Sequence, residues 1–448
     1  MLNVECFPRS QNGSVLIIVL WITIGLVAIA LYFANTMTFE LRASENRTSG
    51  LATEQAIEGA ARYVSYVLTT YATNGNVPES SLFACEAVSV GDARFWLIGR
   101  DPAELSSTEP YFGLVDEGGK FNVNIVDSNT LSYLPGMTMD FANAIVDWRN
   151  TNGTMSLNYA TLGYAPKHAP FETVDELRLV YGATIDQLAG DDLNRNGVLD
   201  LSETNSTGNG ESNPGALEYL TVYSREPNFH ADGSLLTNVN TQSQLRALLQ
   251  AVLPSRASAI MTRLGYVTRR PGQPPVPPPN FTSPVRFYLQ SGMTAAEFAQ
   301  ISDDLTVSTA NYLRNRINVN TASSAVLNTL LLGLGIDQQT ASGATQTLVD
   351  YREQNPDNLT SIAWVVTALG TSSPVVRALA RGNYITTKSY QFTADIAAVG
   401  PFGRGYRRVK FVFDISDGTP KILYRQDLSR LGWALGEKTR ETLLAKAQ

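Results

Sequence analysis

The chain has 448 residues, of which 44% are hydrophobic, and a formal net charge of −7. An apolar fraction of this size is ordinary for a globular chain that buries cores, which excludes a disordered protein. The acidic balance argues against the electropositive surface that nucleic-acid binding requires, so no nucleic acid is expected as a partner.

The first predicted element is a membrane span. Residues 14–34 form an apolar stretch, and no charged side chain lies between Arg9 and Glu40. About 20 apolar residues suffice for a helix to cross a bilayer. With Arg9 on the cytoplasmic side, the positive-inside rule places the rest of the chain beyond the membrane. We therefore expect a single-pass inner-membrane protein with the bulk of the chain in the periplasm.

A short polar leader, residues 1–13, ends in Gly13 directly before the apolar stretch. This arrangement resembles a type IV prepilin-type signal, in which a membrane peptidase cuts after the glycine and leaves the apolar helix on the mature protein. The resemblance implies that Ser14 is the first mature residue and that prepilin peptidase is a partner. A secretory signal cut after Ala30 is the alternative, because residues 28–30 have the small-x-small form of a cleavage site.

The apolar stretch continues as an amphipathic helix to about Tyr71. Apolar residues recur at three- and four-residue steps, among them Ile57, Ala61, Val64 and Leu68. The pattern predicts one long helix over residues 14–72, half of it in lipid and half outside.

The fifth residue after the predicted cleavage site is Ile18. Pilin-like proteins usually carry glutamate there, and a carboxylate in an apolar helix needs a positive partner, which is the terminal amine of a neighbouring subunit. A subunit with Ile18 has no carboxylate to offer a neighbour above it. Within the resemblance, Ile18 therefore marks a subunit at the tip of the polymer.

Strand patterns follow the helix and then disappear for a long interval. Residues 93–100 (ARFWLIGR) predict a strand, and residues 110–124 (PYFGLVDEGGKFNVN) predict a hairpin with its turn at 116–120. Three further strand patterns appear only near the C-terminus, at residues 389–400, 406–416 and 421–428.

The interval between these strands contains an internal repeat. Residues 121–150 and 317–353 share an Asn-Val-Asn start, a Leu-rich helix, a glycine turn and a second helix that ends in Val-Asp-aromatic-Arg. Both copies resemble helix-hairpin-helix units, some of which bind DNA phosphates through a Gly-x-Gly turn. Thr138 and Asp337 replace the second glycine, and neither copy is basic, so structural packing is favoured over nucleic-acid binding.

A twelve-residue stretch between the two copies, residues 192–203 (DLNRNGVLDLSE), has the spacing of a calcium loop. Gly197 supplies the sharp turn. The predicted oxygen ligands are the side chains of Asp192, Asn194, Asn196, Asp200 and Glu203 and the main-chain carbonyl of Val198. We expect Ca²⁺ as a structural staple within the inserted helical domain, because the residues that follow show no second helix to move.

The fold class expected is α+β, a pilin-like long N-terminal helix plus a small antiparallel sheet, split by a large α-helical inserted domain with two helix-hairpin-helix-like repeats. The predicted segments are a leader (1–13), the N-terminal helix (14–72), a first part of the sheet (73–125), an inserted domain (126–382) with a proline-rich linker (271–279), a second part of the sheet (383–435) and a tail (436–448).

No catalytic motif is found. The chain contains no Gly-x-Ser-x-Gly, phosphate loop, His-Glu-x-x-His or paired-cysteine motif. Its two histidines, His168 and His230, lie far apart, and its two cysteines, Cys6 and Cys85, allow one disulfide at most. We therefore expect no enzyme and no thiolate or imidazole metal site.

Taken in order, the Gly13 signal, Ile18, the DEGGKFNVN stretch, the INVNTASSAVL repeat and the ILYRQDL strand resemble the K-type minor pseudopilin of type II secretion systems. That family caps the pseudopilus together with the I- and J-type minor pseudopilins, and it also has calcium sites. The resemblance implies a non-catalytic tip subunit that initiates or caps the polymer with other pseudopilins and supports protein export. The rival hypothesis is an envelope-anchored DNA-uptake protein built on the two helix-hairpin-helix-like units.

Overall fold

The structure is a computed structural model that describes residues 12–101, 109–206, 208, 213–266 and 279–447. Of the predicted leader, only Asn12 and Gly13 belong to the described part. The predicted proline-rich linker, residues 271–279, lies outside it except for Pro279.

The described residues form helices and strands, with short 3₁₀ segments between some of them. The helices are α1 (Asn12–Tyr71), α2 (Ser128–Leu131), α3 (Met139–Arg149), α4 (Ser156–Ala160), α5 (Ile185–Leu188), α6 (Gln242–Val252), α7 (Ala257–Arg263), α8 (Pro284–Ser291), α9 (Ala295–Ala299), α10 (Ser324–Gly333), α11 (Gln338–Gln354), α12 (Ala363–Leu369), α13 (Pro374–Leu379) and α14 (Gly436–Ala447). The strands are β1 (Val88–Val90), β2 (Ala93–Ile98), β3 (Val115–Asp116), β4 (Phe121–Asn122), β5 (Leu220–Thr221), β6 (Glu226–Pro227), β7 (Thr237–Asn238), β8 (Leu305–Thr306), β9 (Tyr312–Leu313), β10 (Ile317–Asn318), β11 (Ile385–Thr386), β12 (Gln391–Val399), β13 (Tyr406–Asp414) and β14 (Lys421–Asp427).

Helix α1 is continuous over 60 residues, which confirms the long N-terminal helix. Its C-terminal third buries a stripe of small and aliphatic side chains that includes Ala56, Ala60, Val64 and Leu68. Among the described residues, no other element packs against its N-terminal half. Of the described helices, α1 is the one long and apolar enough to cross a membrane, with a mean hydropathy of 2.8 in its most apolar window.

The sheet is antiparallel, and its strands lie in the order β1-β2-β12-β13-β14, with β3 also paired to β12. One face packs against α1 through alternate residues of β12, such as Phe392 and Ile396. The opposite face forms a second, smaller core in which Trp96 and Val399 contact Leu435. Helix plus antiparallel sheet confirms the α+β fold class.

The predicted hairpin at residues 110–124 is wrong. Its two arms pair with different partners, because Asp116 in β3 lies opposite Phe392 and Phe121 in β4 lies parallel to Leu220. Between the arms, Glu117–Gly119 form a 3₁₀ turn. The chain therefore leaves the sheet at Asp116 and enters the insertion. The alternation of apolar residues had predicted that the chain turns back at this point and forms a hairpin.

Two domain boundaries need the same correction. Because β4 pairs with β5 and β11 pairs with β10, the insertion extends over residues 121–386, so the predicted limits of 126 and 382 fall inside it. The predicted tail, residues 436–448, contains helix α14 (Gly436–Ala447). Leu443 of this helix packs on the small core beneath the sheet.

The insertion consists of three similar units, although the sequence indicated two. Each unit opens with a two-residue strand followed by Val-Asn and closes with a strand parallel to the first, and the pairs are β4 with β5, β7 with β8, and β10 with β11. We call them unit one (121–223), unit two (237–308) and unit three (317–388). A single hydrophobic core runs through all three.

The same hydrogen bonds recur in each unit. The first asparagine accepts a bond from the main-chain N–H two residues on, at 3.0 Å for Asn122, 2.9 Å for Asn238 and 3.0 Å for Asn318. The second asparagine then donates to a distant carbonyl, in the pairs Asn124 with Phe171, Asn240 with Phe281, and Asn320 with Leu359. The Asn-Val-Asn sequence therefore builds one local structure three times.

Candidate metal centre

The predicted calcium loop follows helix α5 and forms a compact turn. Gly197 has φ +89°, a conformation that side chains rarely adopt. A Cβ at this position would also lie 3.0 Å from the Arg100 side chain. Glycine is therefore required here both by the backbone angle and by the neighbouring arginine.

The oxygen-bearing side chains of the loop turn inward. The Asp192 carboxylate accepts hydrogen bonds from the main-chain N–H groups of Asn196 at 3.0 Å and Gly197 at 2.8 Å. The amide oxygen of Asn194 accepts from the Asn196 N–H, and that of Asn196 accepts from the Val198 N–H, each at 3.0 Å. These bonds hold three of the predicted ligand side chains on the inside of one turn.

Glu203 closes the loop. Its carboxylate accepts bonds from the main-chain N–H groups of Asn194 at 3.1 Å and Asp200 at 3.0 Å. The Asp200 carboxylate in turn accepts from the amide nitrogens of Asn196, at 2.9 Å, and Asn194. All five predicted ligand side chains are thus brought together, and the main chain of Val198 belongs to the same turn.

This donor set is suited to a hard cation such as Ca²⁺, which prefers carboxylate, amide and main-chain oxygens. In the described part of the chain, no group of three or more His, Cys, Asp or Glu side chains is arranged to hold a metal. A cation in this loop would therefore depend on Asn194 and Asn196 as much as on the carboxylates.

Burial and ion pairing change the pKa values of the charged groups in and beside the loop. Asp192 is 2% exposed, and burial raises the pKa of its carboxyl to about 6, although the neighbouring Arg100 acts in the opposite direction. Arg100 forms a bidentate ion pair with Glu218, at 2.8 and 2.9 Å. Burial raises the pKa of Glu218, but the charge and hydrogen bond of Arg100 act together with the charges of Lys120 and Lys410, and the net effect lowers this pKa. Arg100 is thus already neutralised beside the loop.

The loop lies against the sheet. Arg408, in β13, is fully buried and forms a bidentate pair with Asp395 in β12, at 2.9 and 2.6 Å. Its remaining N–H groups donate to the main-chain carbonyls of Asn194 and of Arg195, the latter at 2.8 Å. Two carbonyls of the loop are therefore held by a side chain of the sheet.

The loop also contacts the segment between β14 and α14. The amide nitrogen of Asn194 donates to the Trp433 carbonyl at 3.0 Å, and that of Asn196 donates to the Ala434 carbonyl at 3.4 Å. The loop belongs to the insertion and lies where the insertion meets the sheet and the C-terminal segment.

The residues predicted for processing and for tip position lie on α1. The backbone of Gly13 and Ser14 belongs to the first turn of this helix. Ile18 lies on its apolar half and is 55% exposed. These residues are separate from the loop.

Among solved structures, the chain is similar to a chain of the GspK-GspI-GspJ complex from the type 2 secretion system of enterotoxigenic Escherichia coli. The TM-score is 0.41 and the sequence identity 9%, over 87% of this chain and 99% of that chain. No family model matches the sequence. No curated protein matches it either.

The residues of the sheet that contact the loop were not predicted from the sequence. Arg408 and Lys410 alternate with apolar residues along β13, which in the sequence is typical of a solvated strand face. In the structure the insertion covers that face. The one local signal was a pair of adjacent arginines, Arg407 and Arg408, within a strand pattern that is otherwise largely apolar.

Proposed function

We propose that this chain is a K-type minor pseudopilin at the tip of a type II secretion pseudopilus, anchored in the inner membrane with its bulk in the periplasm. It acts without catalysis, initiating or capping the polymer and supporting protein export. The observation that carries the proposal is helix α1, whose C-terminal third packs on an antiparallel sheet while its apolar N-terminal half is bare.

The exposed N-terminal half of α1 requires an apolar environment. Large apolar side chains on it are more than half exposed, namely Val15, Leu16, Trp21, Leu26, Leu31, Phe33, Met37, Phe39 and Leu41. An apolar surface of this extent rarely stays in water. The bilayer covers the first 20 or so residues, and helices of the I- and J-type minor pseudopilins cover the stretch beyond it.

The tip position follows from Ile18. A subunit inside the polymer offers a carboxylate at this position to the amine of the next subunit, and the desolvated pair is favourable only when both partners are present. Ile18 offers no charge, so nothing is left unpaired when no subunit lies above.

The loop at residues 192–203 is proposed to bind Ca²⁺ as a staple. A protein outside the cytoplasm meets calcium at high concentration, so a dissociation constant of about 10⁻⁴ M suffices, as in extracellular modules. The two amides and three carboxylates that converge in the loop support this assignment. Ca²⁺ would relieve the repulsion between Asp192, Asp200 and Glu203.

The DNA-uptake hypothesis is less well supported. A phosphate-binding turn has a second glycine, which leaves its main-chain N–H groups free to bind phosphate. In this chain Thr138 and Asp337 occupy that position, and their side chains cap the helix that follows. Thr138 accepts from the Phe141 N–H at 3.2 Å, and Asp337 accepts from the Thr340 N–H at 3.0 Å. These amides are thus already satisfied, and the Asp337 carboxylate would repel a phosphate.

Copurification of the full-length protein in detergent with tagged I- and J-type minor pseudopilins tests the proposal. We expect the three proteins to copurify, and we expect Phe39→Asp with Leu41→Asp to remove the interaction. Arg42→Gln, on an exposed polar position of the same turn, is the control and should leave it intact. Failure to copurify, together with salt-sensitive binding to duplex DNA, would replace the proposal with the DNA-uptake hypothesis.

A further inference from the structure

We propose that Arg408 and the main-chain carbonyls of Trp433 and Ala434 position the ligand oxygens of the calcium loop, so that calcium binding and the docking of the insertion on the sheet depend on each other. The inference rests on the proposed calcium site and adds a residue and a segment that lie outside the loop.

Arg408 is placed to act on the loop backbone. Its guanidinium is fully buried, which requires that its N–H groups be paired. Asp395 accepts two hydrogen bonds from these groups, and the carbonyls of Asn194 and Arg195 accept one each. If the loop moved away, Arg408 would lose half of its partners inside the protein. Docking of the loop on the sheet and pairing of Arg408 with the loop carbonyls therefore occur together.

The C-terminal segment orients the two asparagines. A carbonyl oxygen can only accept a hydrogen bond, so Trp433 and Ala434 each hold the amide nitrogen of one asparagine, Asn194 or Asn196, and the same two nitrogens also donate to Asp200 inside the loop. The amide oxygens then point inward, where they meet the turn N–H groups. Partners of this kind, which hold metal ligands from behind, commonly affect metal affinity by about 10- to 100-fold.

The charges around the loop permit a cation there. Two arginines lie beside it, but Arg100 is paired with Glu218 and Arg408 with Asp395. Both guanidinium groups stay charged and neutralised, and so they can support the loop without repelling a divalent ion.

The coupling is reciprocal by thermodynamic necessity. If docking of the loop on the sheet raises calcium affinity by some factor, bound calcium favours docking by the same factor. A calcium ion would then stabilise the contact between two domains in addition to the loop itself.

Calcium affinity of the full-length protein in detergent, measured by isothermal titration, tests the proposal. The paired variant Arg408→Gln with Asp395→Asn avoids leaving one buried charge alone. We expect calcium binding weaker by about tenfold or more in this variant. Arg407→Gln is the matched control, because Arg407 is the adjacent residue and pairs with Glu54 of α1 at 3.2 Å; its affinity should equal that of the wild type. A purely structural role for Arg408 would lower stability equally with and without calcium and leave the affinity unchanged.

Hydrogen exchange of the wild type gives a second measurement if the paired variant does not fold. We expect calcium to slow exchange in residues 192–203 and also in residues 429–435. Slowing confined to the loop, or equal calcium affinity in the variant and the wild type, overturns the positioning role and leaves the calcium site standing. Absence of calcium binding in the wild type removes the calcium site and this inference together.

Discussion

The Asp116 carboxylate accepts a 3.0 Å hydrogen bond from the side-chain amide of Asn318, which lies 202 residues further along the chain. The same carboxylate accepts from the Ser389 hydroxyl at 2.6 Å and from the Gly118 N–H at 2.7 Å. Asp116 thus joins the point where the chain leaves the sheet, the start of unit three, and the point where the chain returns.

Replacement of Asp116 by alanine should therefore destabilise the protein strongly. It leaves several buried donors without an acceptor, and we expect a loss of about 2 kcal/mol or more in the free energy of unfolding. Urea denaturation in detergent measures it. The control is Asp417→Ala, since Asp417 forms an exposed pair with Lys421, and it should change the free energy by less than about 0.5 kcal/mol. Equal stability of both variants would mean that Asp116 does not tie the insertion to the sheet.

The mature protein should begin at Ser14. Gly13→Leu should block cleavage, because the peptidase site of a prepilin-type signal accepts only a small residue before the cut. Gly13→Ala should be cut at least in part. Mass spectrometry of the membrane-extracted protein distinguishes these cases, and an N-terminus at Leu31 or an intact Met1 in the wild type would contradict the prediction.

A glutamate introduced at residue 18 should not improve assembly. Ile18→Glu puts a carboxylate in the apolar half of α1, where an unpaired charge costs roughly 2.5 kcal/mol or more. We expect pseudopilus formation and secretion to be unchanged or reduced. Ile18→Leu is the control for packing. An assembly defect in the wild type that the glutamate corrects would argue against a tip position.

Calcium should raise the melting temperature of the wild type, and a chelator should reverse the effect. Binding to the folded state alone stabilises by about 2.7 kcal/mol when the free ion is at 100 times the dissociation constant. Asp192→Ala and Glu203→Ala should abolish the gain, whereas Asp232→Ala, in an exposed turn of the insertion, should retain it. A melting temperature that does not respond to chelator in the wild type would remove the calcium staple.

The parts of the fold that were predicted correctly have patterns that extend over many residues. Helix α1 follows from an uninterrupted apolar stretch and a helical periodicity, and β12 and β13 follow from long apolar runs. The two-residue strands of the insertion carry too few residues for a period to be seen. They form because Asn-Val-Asn side chains bond to distant main-chain groups, which no local pattern reveals.

Unit two was missed for a specific reason. Its helical hairpin, between α6 and α7, contains Pro254 where unit one has Gly136 and unit three has Gly335. The predicted repeat combines an Asn-Val-Asn start with a glycine turn and a Val-Asp-aromatic-Arg ending, and unit two has the tripeptide, at residues 238–240, without the other two features. A search for that tripeptide would have found all three units.

The loop itself was predicted from its spacing, but its neighbours were not. The ligand positions lie within twelve residues, so one stretch of sequence contains them all. Arg408 and Trp433 follow more than two hundred residues later. Their role depends on how the insertion lies on the sheet, and that arrangement is set by tertiary packing.

The pairing of β3 with β12 has a mechanical consequence. Asp116 and Phe392, at the two ends of the insertion, lie opposite each other on hydrogen-bonded strands. A force applied to the insertion therefore enters the sheet at one place, because β3 and β12 are hydrogen-bonded to each other. From β12 the force passes to the strands on either side, β2 and β13. Tension on the insertion is transmitted to α1 through this sheet and does not stretch a flexible linker.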